Sequence, residues 1–217
     1  MSLGLGTEAP DFSADTTQGP IDFHAWAGGR WVVLFSHPHH FRPVCATEYA
    51  ALARLAPAYE AAGIRLLGLS VDPLDGYAAW ADDVKATQGV DVPFPLIADV
   101  GGRIAEAYGM LHPAMSAQAP MRCTYLIDPA RRIRASLATP SSLGRNFAEV
   151  LRMCRSLQLT DRHLVATPAG WTEGDEVIIV PGLPEEEARR RFPAGWRELR
   201  PYLRMVAQPA GGTEPAP

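Results

Sequence analysis

Short apolar runs and helical stripes alternate along the first 160 residues of the chain. Three of the runs are rich in β-branched, aromatic and leucine residues, which predicts buried strands. These runs lie at 31–36, 64–71 and 123–128. A helical pattern extends from Pro43 to Ala62 between the first two runs, and Pro57 inside it should kink or split the helix.

The remaining elements of this region are two helical patterns, a short apolar run, the second strand of a hairpin and a final helix. The two helical patterns lie at 75–87 and 101–108, and the short apolar run lies at 93–98 between them. The second hairpin strand lies at 132–138 and the final helix at 144–158. Strands that alternate with helices predict a mostly parallel sheet covered on both faces, and the hairpin makes that sheet mixed. The expected fold class is therefore α/β, with a thioredoxin-like mixed sheet flanked by helices.

Beyond about residue 160 the chain becomes rich in proline, glycine and charged residues. It keeps one strong strand pattern at 176–180 and one helical pattern at 184–191, whose acidic first turn and basic last turn suit the helix dipole. So short a region buries little surface by itself. We therefore expect residues 161–217 to form an arm that packs on the core, residues 1–160, or on a second subunit.

Charge and cysteine usage exclude several classes of protein. The 217 residues carry a formal net charge of -4, so the chain has no excess of basic residues that would favour binding to nucleic acid or to an anionic membrane surface. No apolar run approaches the roughly 18 to 20 residues of a membrane span, and the first residues lack the pattern of a secretory signal. Three cysteines, far apart in sequence, argue against a disulfide framework and favour a cytoplasmic location.

Cys45 has the most distinctive position of the three cysteines. It follows the first predicted strand and lies in the first turn of the next helix, behind Pro43. Unpaired backbone N–H groups and the helix dipole favour a thiolate there, and Arg42 adds a nearby positive charge. A structural cysteine that happens to begin a helix has the same pattern, so position alone leaves both roles open.

The segment HPHHFRPVCATE at 37–48 resembles the active-site loop of the peroxiredoxins, whose motif is Pro-x-x-x-Thr/Ser-x-x-Cys. Pro38 and Cys45 match this motif, and the flanking residues resemble those of the one-cysteine subfamily. Similar segments continue along nearly the whole chain. They are APDF at 9–12, LGLSVD at 67–72, PFPLIAD at 93–99, GRNFAEVLR at 144–152, SLQLT at 156–160, VATPAGW at 165–171 and VPGLPEEEARRRFP at 180–193.

This resemblance implies a thiol-dependent peroxidase with a thioredoxin-like core and a C-terminal arm that joins a homodimer. Cys45 would attack hydrogen peroxide or an organic hydroperoxide and become a sulfenic acid. No cysteine follows Cys154, so recycling would need an external thiol reductant, and no cofactor is implied.

The resemblance also suggests roles for the neighbours of Cys45. Arg122 would hold the thiolate and polarise the peroxide, or else form only a salt bridge at a strand edge. Glu48 would orient that arginine, and His37 would either hydrogen-bond Cys45 or simply pack. The candidate catalytic residues are Cys45, Arg122, Arg42, His37, Pro38 and Glu48, and the candidate substrate contacts are His39, His40, Phe41 and Arg145.

Two positions depart from the family pattern. Arg42 replaces the threonine of the motif, and a guanidinium only donates hydrogen bonds where a hydroxyl both donates and accepts. A reactive thiolate with an impaired peroxide-reduction step is therefore expected.

His40 replaces an acidic residue, so His37, His39 and His40 lie together in the loop. Three interpretations stay open: the histidines lie on a solvated loop without a chemical role, they act in acid/base catalysis, or they bind zinc or copper. We assign no metal ligand from the sequence.

Some relatives carry a lipase-like serine before the first strand. Here that stretch, 28–32, contains Arg30 and no serine, so His24 has no nucleophile to serve and we expect no phospholipase activity. Cys123 and Cys154 are expected in the core.

Two other functions remain open from the sequence alone. The chain could be a peroxiredoxin-like enzyme of specialised metabolism, in which Cys45 or the loop histidines act on an organic substrate and Arg42 binds its carboxylate or another anion. It could also be a non-catalytic, dimeric binding or chaperone-like module.

Overall fold

The computed structural model describes residues 3–112, 114 and 118–210, and the chain divides into two compact units, residues 1–147 and 148–217. The strands of the first unit are β1 (Ser13–Ala14), β2 (Ile21–Asp22), β3 (Trp31–Ser36), β4 (Ile64–Ser70), β5 (Leu96–Ala98), β6 (Arg122–Ile127) and β7 (Ile133–Thr139). Its helices are α1 (Phe23–Ala27), α2 (Pro43–Ala61), α3 (Tyr77–Gln88) and α4 (Arg103–Ala107), with a 3-10 turn at Leu74–Gly76. The later elements are α5 (Phe147–Arg162), β8 (Val165–Ala166), β9 (Val177–Ile179), α6 (Glu185–Arg191), β10 (Arg197–Arg200) and β11 (Leu203–Val206).

A five-stranded mixed sheet forms the centre of the first unit. Its strand order is β5-β4-β3-β6-β7, with β3, β4 and β5 parallel and with β6 and β7 joined as an antiparallel hairpin. All six residues of β3 are buried, which explains its unbroken apolar sequence. The mixed α/β sheet confirms the predicted fold class, although β6 also pairs antiparallel with β3, so the sheet is less parallel than expected.

The strand directions bring three separate segments to one edge of this sheet. The loop of residues 37–42 leaves the carboxyl end of β3 and enters α2, while Asp72 follows the carboxyl end of the parallel strand β4. Because β6 is antiparallel to β3, its first residue, Arg122, lies at the same edge. Residues that are about 35 and 80 positions apart in sequence can therefore share one site.

Helix α2 continues through Pro57 as far as Ala61, so the proline does not split it. Of the two predicted effects, the kink stays a prediction. A proline removes only one helical hydrogen bond, and packing can hold the remaining turns together. Tyr59, in the turn after the proline, is fully buried and donates its hydroxyl to the carbonyl of Phe147 at 2.7 Å.

The second unit contains a four-stranded antiparallel sheet of its own, with the order β10-β11-β9-β8. Of the elements that follow α5, β9 and α6 were predicted, and the other strands were not, because they are very short or rich in arginine and glutamate. Apolar side chains form a small cluster in this unit: Leu159, Val165, Trp171, Val177, Ile179, Phe192 and Val206. The predicted boundary at 160/161 falls inside α5, whereas the compact units divide at its first residue. Among the described residues, no helix has the length and apolar character needed to cross a membrane.

Candidate active site

Cys45 is the third residue of α2 and is completely buried. Arg122 Nη1 lies 3.4 Å from its sulfur, within hydrogen-bonding distance. The backbone amide of His39 also donates to the sulfur. The N-cap residue, Arg42, makes no side-chain hydrogen bond to the first turn of the helix, where a threonine hydroxyl could cap the N–H groups. The sulfur therefore faces a guanidinium, a backbone amide and the positive end of a helix.

Glu48 holds two arginines together one helical turn after Cys45. Its Oε2 accepts hydrogen bonds from Arg122 Nη1 at 2.6 Å and from Arg145 Nη2 at 2.8 Å. Its Oε1 accepts from the backbone amide and Nε of Arg145 at 2.7 and 2.9 Å. Arg122 also donates Nε to the carbonyl of Ser141 at 3.0 Å, and all three charged side chains are buried. Arg122 thus contacts the sulfur and forms the ion pair with Glu48 at once, so it does more than form a salt bridge at a strand edge.

Burial and charge act in opposite directions on the Cys45 thiol. Burial raises the pKa of the thiol, and the charge of Glu48 adds to that effect. The charge and hydrogen bond of Arg122 and the hydrogen bond of the His39 amide lower the pKa. The net direction is upward, opposite to the sequence-based expectation, because desolvation disfavours the charged form more than one shared guanidinium favours it.

A cleft of about 400 Å³ adjoins Arg122 and the first turn of α2. Its wall is mainly apolar and also contains the sequence-predicted residues Pro38, His39 and Arg42. The other lining residues are Pro43, Val44, Ala119, Pro120, Met121 and Ser141. Arg42 is solvent-exposed, and its guanidinium has no hydrogen-bond or ion-pair partner within 3–112, 114 and 118–210. It therefore lies at the rim of the cleft as an available cation.

His37 is fully buried and makes no hydrogen bond to Cys45. Its Nδ1 lies 2.8 Å from the hydroxyl of Tyr49, and its ring stacks on Trp80 at a centroid distance of 5.2 Å. Burial lowers the pKa of His37 well below its usual value, and the charges of His40 and Arg145 lower it further. Of the two possibilities predicted for His37, packing is the one present in the structure.

His39 and His40 both bind Asp72, which follows β4. His39 Nδ1 donates to Asp72 Oδ1 at 2.8 Å, and the backbone amide of His40 donates to Oδ2 at 2.6 Å. The His40 ring stacks on Trp80 with centroids 4.6 Å apart and planes 11° apart. Burial lowers the pKa of His40, while the charge of Asp72 opposes this effect. The histidines are therefore fixed by partners and do not lie free on a solvated loop.

Three of the proposed substrate contacts do not line the cleft. His40 packs on Trp80, Arg145 is held by Glu48, and Phe41 is 58% exposed with a positive φ of 52°. Their assignment to substrate binding gains no support from these positions. Arg145 instead belongs to the buried ion-pair cluster, where the Glu48 carboxylate it shares with Arg122 fixes both guanidinium groups.

The sequence interpretation missed Asp72, Tyr49 and Trp80. Asp72 could have been found from its position at the end of a buried strand parallel to the one before Cys45. Tyr49 and Trp80 resemble ordinary helical core residues, and nothing in the local pattern distinguishes them.

The other two cysteines lie in the core, as predicted. Cys123 joins an apolar cluster with Tyr125 and Leu34, on the opposite strand face from Arg122. Cys154 is completely buried, and burial raises its pKa to about 12. Among the residues that the structure describes, Cys45 is therefore the one cysteine whose sulfur has an arginine donor within hydrogen-bonding distance.

Comparison with known proteins identifies the family. Residues 5–136 match the AhpC/TSA family, and residues 156–195 match the C-terminal domain of 1-Cys peroxiredoxin. The chain is 41% identical to the 1-Cys peroxiredoxin of Dictyostelium discoideum over 207 residues, which cover 95% of this chain and 86% of that protein. The chain belongs to the one-cysteine peroxiredoxins.

Other peroxiredoxins agree with this assignment. Peroxiredoxin-6 of Gallus gallus is 42% identical over 95% of this chain and 98% of its own length. The crystal structure of a mutant peroxiredoxin 6 of Arenicola marina matches with a TM-score of 0.87 at 39% identity, over 96% of this chain and 99% of that one. The predicted family, the thioredoxin-like fold and the class of activity, a thiol-dependent peroxidase, are thereby confirmed.

Proposed function

We propose that Cys45 is the peroxide-reducing residue of this one-cysteine peroxiredoxin and that Arg122 stabilises it. The observation that carries this proposal is the 3.4 Å contact between Arg122 Nη1 and the sulfur at the start of α2. The arginine is fixed from two other directions by Glu48 and the carbonyl of Ser141. A donor held in this way can stabilise negative charge on sulfur and on the leaving oxygen without moving.

The reaction begins when the Cys45 thiolate attacks the terminal oxygen of a hydroperoxide. The S–O bond forms as the O–O bond breaks, which leaves a sulfenic acid at Cys45. The leaving group is an alkoxide from an organic hydroperoxide or hydroxide from hydrogen peroxide, and it takes up a proton to become an alcohol or water. One external thiol then forms a mixed disulfide with Cys45 and releases water. A second external thiol attacks that disulfide, which regenerates the Cys45 thiol and releases a disulfide of the two external thiols.

Arg42 is the residue that sets the substrate preference in this proposal. Its exposed guanidinium lies at the rim of an apolar cleft of about 400 Å³, which is larger than hydrogen peroxide requires. A guanidinium pairs with a carboxylate through two parallel hydrogen bonds. We therefore infer a preference for organic hydroperoxides that carry a carboxylate or a similar anion. Because Cys45 is completely buried, such a substrate reaches the sulfur only after a side chain of the cleft wall moves.

A matched pair of substrates tests this preference. Linoleic acid hydroperoxide and its methyl ester differ only in the carboxylate, so the ratio of their second-order rate constants isolates the anion. We expect the native protein to favour the acid by about 10-fold, and Arg42→Thr to remove that preference. Arg132→Thr, a change of an exposed arginine elsewhere, is the control. Equal rates for acid and ester in the native protein would remove Arg42 from substrate selection.

The reductant and the assembly belong to the same proposal. A yeast mitochondrial 1-Cys peroxiredoxin, 39% identical, has been described with thiol resolution by glutathione and thioredoxin systems. We propose that a small thiol or a thioredoxin reduces this chain as well, and that the protein is a homodimer in the cytoplasm. Turnover of peroxide with each reductant, and light scattering in solution, test the two parts separately.

A further inference from the structure

Three side chains with metal-binding atoms meet between the ends of β3 and β4. They are His37, His40 and Asp72, and one candidate ligand atom from each lies within 4.8 Å of the other two. None of the three lines the cleft beside Cys45. The cluster is therefore distinct from the proposed peroxidase site, although His37 and His40 belong to the loop that leads to Cys45.

The Nε2 atom of His37 is buried and has no hydrogen-bond partner among the residues that the structure describes. Buried ring nitrogens are nearly always satisfied, so an unpaired one is unusual. The other ring nitrogen, Nδ1, is already engaged by the hydroxyl of Tyr49 at 2.8 Å. A histidine that ligates a metal typically uses its second nitrogen for such a bond, which fixes the ring and its tautomer.

The other two side chains are also held in place by their surroundings. Stacking on Trp80 fixes the plane of the His40 ring, and its Nδ1 lies 3.8 Å from Asp72 Oδ2. Two ligand atoms of a tetrahedral zinc ion are about 3.4 Å apart, so this pair needs a shift of a few tenths of an ångström. Asp72 Oδ1 accepts one hydrogen bond, from His39 Nδ1, whereas Oδ2 accepts from the His40 amide and from Ser70 Oγ at 3.2 Å. An ion at Oδ2 therefore replaces the Ser70 hydroxyl, and an ion at Oδ1 uses its second lone pair.

We propose that His37, His40 and Asp72 bind one divalent first-row transition-metal ion, with zinc as the first candidate. Two imidazoles and one carboxylate favour zinc, cobalt or iron over magnesium and calcium, which prefer oxygen ligands. Such a set leaves one or more positions open to solvent. The two arginines whose charges act on His37, Arg145 and Arg122, are both paired with Glu48, and this limits their repulsion of a cation.

Titration of the purified full-length protein with Co²⁺ tests the site directly. We expect one equivalent to bind per chain, with visible absorption from nitrogen and oxygen ligands and no thiolate-to-cobalt charge transfer. Zinc should displace the cobalt and raise the Tm of the native protein. His40→Asn and Asp72→Asn should each weaken binding by about 100-fold or more, because they remove a ligand from a three-residue site.

Two further variants distinguish this site from cobalt binding at the Cys45 sulfur or at a surface histidine. Cys45→Ser should bind cobalt as the native protein does, since the sulfur is not a ligand. His112→Asn, which changes an exposed histidine elsewhere, should also bind normally. Urea unfolding of the metal-free variants checks that they fold, and Asp72→Asn keeps the shape of the side chain. Substoichiometric binding to the native protein, or equal losses in His112→Asn or Cys45→Ser, would overturn the proposal.

Discussion

Replacement of Arg122 by methionine tests how strongly this arginine favours the Cys45 thiolate. The side chain stays long and apolar, but the donor 3.4 Å from the sulfur is lost. A unit charge at that distance is worth about 5 kcal/mol at an effective dielectric near 20, although Glu48, 2.6 Å from the same nitrogen, offsets much of it. We therefore expect the pKa of the Cys45 thiol to rise above its native value, because the charge and hydrogen bond of Arg122 that lower it are removed.

The rate of peroxide reduction should fall with the thiolate fraction. Because the native pKa is already raised by burial, each further unit removes about nine-tenths of the remaining thiolate at pH 7. Loss of the donor to the leaving oxygen adds a second penalty, so the total decrease should be about 10³-fold. Glu48 remains paired with Arg145 through three hydrogen bonds, so we expect the variant to fold.

The pH dependence of the ultraviolet thiolate absorbance, corrected with Cys45→Ser, gives the pKa, and stopped-flow kinetics gives the rate. Arg122→Lys is the companion variant, because it keeps the charge without the planar fork that reaches both Glu48 and Ser141. In Arg122→Lys, the pKa of the Cys45 thiol should stay close to its native value, but the rate of peroxide reduction should recover only in part. A Cys45 pKa in Arg122→Met that is equal to or below the native value would refute this account of the thiolate.

The remaining predictions concern the cleft, the ion-pair cluster and the core. Arg42→Thr should increase the rate constant for hydrogen peroxide by about 10-fold or more, because it restores a hydroxyl that can donate and accept; an unchanged stopped-flow rate would show that Arg42 is neutral in this step. Glu48→Gln should lower the free energy of unfolding by about 3 to 5 kcal/mol in urea, because two buried arginines lose their counter-ion; a loss below about 1 kcal/mol would contradict the buried pair. Gly68→Ala should lower the free energy of unfolding by about 1 to 3 kcal/mol in the same assay, because the added Cβ would lie 2.2 Å from Leu96 Cδ2 and 2.8 Å from the hydroxyl of Tyr49. An unchanged free energy of unfolding would mean that both groups can move.

Local sequence patterns were sufficient for the elements that surround the site. The unbroken apolar runs predicted β3 and β4, and the positions of Pro43 and Cys45 located the start of α2. The strand pairing then explains why Arg122 reaches Cys45, although the two residues are 77 positions apart in sequence. That contact followed from the family resemblance, since no local pattern specifies which residue an antiparallel strand brings to the sulfur.

Other features depended on tertiary contacts that the sequence does not display. Arg145 was assigned to substrate, but its backbone amide and guanidinium both bind Glu48, which only the folded chain brings close. The direction of the Cys45 pKa shift depends on complete burial, and the position of the residue on a helix does not reveal burial. The strands of the second unit are short, and the charged alternation of β10 resembles a loop.

A single-turnover reaction with stoichiometric hydrogen peroxide tests the central claim most directly. Native protein and Cys45→Ser are mixed with one equivalent of peroxide, and intact mass with peptide mapping locates the added oxygen. We expect the native protein to gain one oxygen at Cys45, removable by a thiol, and the variant to gain none. Oxygen gained elsewhere in the native protein, or equal peroxide consumption by the variant, would contradict the assignment of Cys45 as the reacting group.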